Sequence, residues 1–133
     1  MKTSIIKNTP QLANPEKNSC FLLNHKTNEL DNKRTYLITG IERGGTSMVA
    51  GVCRALGMNM GERIGLNHED PVFISDDKKI LKKFINEKNQ RLDVWGFKMP
   101  KAVKKFRFFD KILRNPYHIF VYRNTLAVAD SWI

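Results

Sequence analysis

The chain has 133 residues and a formal net charge of +10 at pH 7. That length fits one domain with a modest core and excludes several independent domains. The charge favours a polyanionic partner, either a phosphate- or sulfate-bearing ligand, an acidic glycan or nucleic acid, while the two cysteines, Cys20 and Cys53, exclude a disulfide framework and lack metal-ligand spacing.

Residues 1–34 are rich in Asn, Lys, Thr and Pro and lack periodicity, which reads as a polar, loosely packed arm. Within it, Cys20-Phe21-Leu22-Leu23 reads as a short docking element. The folded domain spans residues 35–133. Its first element is a β-prone run from Tyr36 to Thr39, ended by a loop containing Gly40, Gly44 and Gly45. A helix follows from Thr46 to Leu56, with Met48, Val52 and Leu56 on one stripe and Val49 and Cys53 beside it. Gly57 is its stop. Residues 58–75 read as a loop. A second helix starts near Ser75 or Asp76, with acidic residues in its first turn and lysines later.

Val94 to Lys98 is a short strand. Val103, Phe106, Phe109 and Leu113 make the apolar stripe of a third helix, which Asn115-Pro116 ends. Residues 118–122 form a buried strand, and a helix pattern carries the chain to Ser131. The order β-α-(α)-β-α-β-α predicts an α/β fold with a parallel sheet flanked by helices. Two cationic runs, Lys78, Lys79, Lys82, Lys83 and Lys88 in one segment and Lys101, Lys104, Lys105, Arg107, Lys111 and Arg114 in another, read as solvated helix faces. No secretory segment and no apolar run near the ~20 residues that span a bilayer is present, so the chain reads as soluble and cytoplasmic.

A strand that turns through glycines into a helix N-terminus is a phosphate cradle. Its N–H groups converge on one spot, the helix dipole favours negative charge there, and glycine lets the backbone approach the anion. The spacing Gly40-x4-Gly45 followed by Thr46-Ser47 is close to a nucleotide-binding P-loop, but Thr46 stands where an NTPase carries its phosphate-reaching lysine. The positive charge sits earlier, at Arg43. Such a loop is poorly equipped for ATP or GTP hydrolysis and well equipped to hold one terminal phosphate beside a guanidinium.

The string Gly40-Ile41-Glu42-Arg43-Gly44-Gly45-Thr46-Ser47-Met48 resembles the 5′-phosphosulfate loop of P-loop sulfotransferases, which use 3′-phosphoadenosine 5′-phosphosulfate (PAPS). In their usual loop, Pro-Arg/Lys-Ser-Gly-Thr-Thr/Ser, Glu42 replaces the proline and Gly44 the serine. A second match is His118 to Arg123 followed by a helix with Ser131. An arginine ending a strand and a serine eight positions later resemble the family's grip on the 3′-phosphate. The family strand whose lysine reaches the active site resembles Trp95-Gly96-Phe97-Lys98-Met99-Pro100.

The resemblance implies a three-layer P-loop-type fold with PAPS as sulfuryl donor and no metal. It implies donor contacts from Arg43, Gly44, Gly45, Thr46, Ser47, Arg123 and Ser131, with Arg43 and Lys98 stabilising the transferred group. The base differs between branches. Cytosolic small-molecule members place a histidine where this chain has Pro100. Heparan-type and many bacterial members use a carboxylate after the first helix, where this chain reads Asn67-His68-Glu69-Asp70-Pro71. Glu69 is the first candidate, with Asp70 and His68 behind it. The expected reaction is sulfuryl transfer to a hydroxyl acceptor, a carbohydrate by the missing histidine and the Arg-type loop. The resemblance covers residues 36–133 and matches the amino-terminal half of a family member, so the chain reads as truncated or as a short relative. Two other classes stand beside it: a P-loop kinase or NTPase, and a non-catalytic polyanion-binding module for which nucleic acid is a candidate ligand.

Overall fold

The computed structural model describes residues 21–23 and 32–133; Cys20 and the rest of the arm lie outside the described residues. Four strands form one sheet: β1 (Phe21–Leu23), β2 (Arg34–Gly40), β3 (Val94–Lys98) and β4 (Pro116–Val121), in the spatial order β1-β4-β2-β3. The three strands β4, β2 and β3 run parallel, and β1 adds an antiparallel edge along β4. The expected docking element is therefore that edge strand. Helices α1 (Thr46–Ala55), α2 (Lys78–Arg91), α3 (Phe106–Ile112) and α4 (Thr125–Asp130) make the fold mixed α/β, with its parallel sheet flanked by helices.

The central strand is buried on both sides, as parallel strands are. Leu37 and Ile38 are both fully buried but belong to different clusters. Leu37 packs with Phe73, Leu81, Ile85, Phe97 and Phe109 beneath α2 and α3. Ile38 packs with Ala50 of α1 and Met60 on the other face. Phe73 lies in a 3₁₀ turn, Pro71–Ile74, and stacks on Phe97 of β3 with ring centroids 3.8 Å apart. This plug matters for the site, because it anchors the segment that carries residues 67–70.

Three expectations change on folding. The stripe Met48, Val52 and Leu56 of α1 faces outward, with Met48 71% and Leu56 82% exposed, while Val49, Ala50 and Cys53 meet the sheet. The helix is apolar on two adjoining stripes, and small Ala50 permits the closer approach. The third helix splits into a 3₁₀ turn, Pro100–Lys105, and α3. Its three-residue period turns Val103 outward while Phe109 and Leu113 stay buried. The second helix starts at Lys78 with no acid in its first turn, because Asp77 sits one position earlier as its N-cap and accepts from the Lys79 and Ile80 N–H groups.

The cationic runs are also divided. Lys88 is buried and donates to Asn59 Oδ1 at 3.2 Å and Glu62 Oε1 at 3.0 Å. Arg114 clamps the end of α2 through the carbonyls of Asn89, Leu92 and Asp93. Among the described residues no helix is long and apolar enough to cross a membrane.

Candidate functional site

The chain steps from β2 to β3 on one side and returns past β2 to β4 on the other. That reversal opens a crevice over the carboxyl ends of the strands, the usual ligand position in open α/β sheets. The glycine loop after β2, Lys98 at the end of β3 and Arg123 just after β4 all lie along this edge.

The loop is built by backbone constraints. Gly40 pairs with Val121, and a Cβ on it would sit 2.3 Å from the Val121 carbonyl oxygen. No other residue fits there. Gly44 N–H donates to the Ile41 carbonyl at 2.9 Å, closing the turn. Arg43 adopts a left-handed conformation (φ 64°), and Gly45 follows with φ 99°. For an L-residue such as Arg43 that conformation costs about 1 kcal/mol. Helix α1 starts from Gly45 without a side-chain cap. Met48 N–H already donates to the Gly45 carbonyl at 3.1 Å, which leaves the Thr46 and Ser47 N–H groups for an outside acceptor. Gly45 has only the Val121 Cγ1 atom at 4.0 Å near its missing Cβ. An uncapped helix start behind an open glycine loop fits a terminal phosphate.

Next to this N-terminus lies a compact polar cluster. The Lys98 side chain is 4% exposed, and its ammonium donates to Ser47 Oγ (2.9 Å), the Asn67 carbonyl (2.7 Å) and Glu69 Oε1 (2.8 Å). Three donors meet three acceptors, so the buried charge is fully satisfied. Ser47 Oγ in turn donates to the Asn67 carbonyl at 3.1 Å. Ser47, Lys98 and Glu69 are thus brought together from α1, β3 and the 67–70 segment. Thr46 is buried beneath the loop, its methyl against Gly40.

The other base candidates have different roles. Asp70 is 1% exposed and holds the chain in place, accepting from Glu62 N–H and Val72 N–H, both at 3.1 Å. His68, in a left-handed conformation, accepts from the Arg54 guanidinium at 3.0 Å through Nδ1 and rests its ring against Gly51. Of the three, Glu69 lines a cavity of about 350 Å³, whose walls include Glu42, Met99, Lys101, Lys104 and Lys105.

Arg43, Arg123 and Ser131 are not in this cluster. The Arg43 guanidinium lies 5.3 Å from the Trp132 ring centroid, a cation–π contact that sequence reasoning did not single out. Arg123 is exposed. Ser131 is the C-cap of α4 instead of lying inside it, and its hydroxyl donates to the Val128 carbonyl at 2.6 Å. Asn67, whose carbonyl ties Lys98 and Ser47 together, was also missed, since a backbone acceptor leaves no residue-type signal. Comparison with family models, with curated proteins and with solved structures finds no match.

Proposed function

We propose that this chain carries the donor site and the base of a PAPS-dependent sulfotransferase that acts on a hydroxyl, with a carbohydrate as the acceptor class. The observation that carries the reading is the meeting of Ser47, Lys98 and Glu69 at the uncapped start of α1. PAPS supplies an activated sulfuryl group on its 5′-phosphate. The glycine loop, Thr46 and Ser47 hold that phosphate through the first-turn N–H groups of α1. Arg123 and Ser131 grip the 3′-phosphate, which requires the Ser131 hydroxyl to leave the Val128 carbonyl.

Glu69, which lines the cavity, takes the proton of the acceptor hydroxyl through its carboxylate. The freed oxygen lone pair then forms the new S–O bond as the bond to the 5′-phosphate oxygen breaks. Lys98 and Arg43 supply positive charge where negative charge grows on that oxygen. Lys98 must exchange part of its present bonding for the phosphate. Arg43 swings from Trp132 to the same place.

Calorimetric titration with 3′,5′-ADP, the stable product form of the donor, tests the donor half of this reading. We expect saturable binding that exceeds that of ATP with Mg²⁺ and weakens at least about tenfold in Arg123→Ala, the loss of one charge-assisted phosphate contact. Equal or tighter binding of ATP with Mg²⁺ would favour the kinase or NTPase reading instead.

A further inference from the structure

We infer that the basic residues behind Glu69 form a binding groove for a polyanionic saccharide chain. The cavity beside Glu69 shares Asp76, Lys104 and Lys105 with a larger one of about 640 Å³, so the two adjoin along these side chains. The larger cavity is lined by five cations, Lys78, Lys104, Lys105, Arg107 and Lys111, and by one acid, Asp76. Folding has joined one lysine of the first cationic run to four cations of the second.

Lys79, Lys82 and Lys83 also lack an ion pair among the described residues, but they lie on α2 and line neither cavity, and several other cations are engaged. Lys101 pairs with Glu42 at 3.0 Å, Lys98 and Lys88 are buried in their own clusters, and Arg114 caps α2. In the groove, Lys105 is held by Asp76 at 2.7 Å and by the Ser75 carbonyl at 2.6 Å. Lys104, Arg107 and Lys111 are exposed and have no acidic partner among the described residues. Three uncompensated cations therefore share one concave surface, which favours a ligand with several anionic groups at intervals.

The wall chemistry selects a saccharide over nucleic acid. A site for single-stranded nucleic acid joins a basic groove for the phosphates to free aromatic faces on which bases stack. Among the described residues the only ring on this wall is Phe108, which is half-buried and has the Lys78 ammonium 6.0 Å from its centroid. Val103, 69% exposed, and the lysine stems instead offer small apolar patches beside the charges. These suit the C–H faces of sugar rings that carry carboxylate or sulfate groups. The larger cavity adjoins the one that Glu69 lines, so a chain that crosses Lys104 and Lys105 brings a hydroxyl to that residue. This last step rests on the sulfotransferase reading; the groove itself does not.

The test measures binding of a fluorescent hexasaccharide bearing carboxylate and sulfate groups, its desulfated counterpart and a single-stranded DNA oligomer at near-physiological salt. One variant combines Lys104→Ala, Arg107→Ala and Lys111→Ala. A control removes the same charge from the exposed face of α2 with Lys79→Ala, Lys82→Ala and Lys83→Ala. All six side chains are exposed, so both variants keep the fold, which circular dichroism checks. We expect the sulfated hexasaccharide to bind best and to lose about tenfold in the groove variant but less than about twofold in the control, as three exposed ion pairs are lost only in the first. Equal losses in both variants, or DNA binding as tight as the sulfated hexasaccharide, overturn the inference. Titration of the groove variant with 3′,5′-ADP separates the two readings. If the variant binds the nucleotide like the parent while the parent ignores the hexasaccharide, the groove fails and the donor site stands. If the parent binds the hexasaccharide through the groove but not the nucleotide, the reverse holds.

Discussion

Lys98 is the residue on which the site's chemistry and its stability meet. Its ammonium is nearly inaccessible and holds three acceptors, from Ser47, Asn67 and Glu69. Removing the cation leaves a half-buried hydroxyl, a carbonyl and a half-buried carboxylate without their shared donor, which costs about 1–3 kcal/mol. Neutralising Glu69 as the amide is milder, because the amide oxygen still accepts from Lys98. A split of effects follows. Glu69→Gln should change stability by less than about 1 kcal/mol while abolishing proton removal from the acceptor. Lys98→Met should lose both stability and transfer. Chemical denaturation of the two variants, beside transfer of labelled sulfate to a saccharide panel, checks the split. Retained transfer in Glu69→Gln sinks the assignment of the base.

At the level of elements, short-range signals were legible and long-range partners were not. The strand, the glycine loop and the helix start at Thr46 follow from residue types within a few positions of one another, and the structure has them at those positions. Gly57 stops the helix with φ 89°, as its position suggested. The face that α1 buries was not legible, because Met48, Val52 and Leu56 are as apolar as Val49 and Cys53. Only the sheet decides which stripe it covers. For the same reason Lys88 and Arg114 were read as solvated, although Glu62 and the α2 carbonyls engage them across 20 residues or more. Within the site, Glu69 was ranked above Asp70 and His68, but their structural roles depend on Glu62, Val72 and Arg54, which no spacing reveals. The α1 geometry is testable. Val52→Ser, on the exposed stripe, should cost less than about 0.5 kcal/mol. Ala50→Leu, against Ile38 and Met60, should cost about 1–3 kcal/mol by overpacking. Thermal melts in the reverse order would mean that α1 presents its other face to the sheet.

For the molecule as a whole, the sheet buries one titratable group in the mid-acid range, and this sets how stability responds to pH. His118 of β4 is 9% exposed, lies 4.4 Å from the Phe106 ring, and has no hydrogen bond to either ring nitrogen. Burial pushes its pKa below the ordinary 6.5; the Asp110 carboxylate, 3.7 Å from Nε2, opposes this only in part. The folded state therefore binds the histidine proton less readily than the unfolded chain does. By linkage, the full contribution of the neutral ring is present above pH 6.5, and stability is lost as pH falls from there toward the depressed folded value. The exposed carboxylates Glu62 and Asp76, which Lys88 and Lys105 hold below their usual 4.5 and 3.8, lose their contribution in a lower window, as pH falls through their folded values. The two windows separate the causes. Melting temperatures should decline between about pH 7 and 5 in the parent chain and stay level in His118→Leu over that range, with both chains declining again in stronger acid. The apolar replacement keeps the contact with Phe106, so a loss of slope without a loss of fold is the expected signature. An equal slope in both chains would assign the mid-acid response to the net positive charge of the surface rather than to the buried ring.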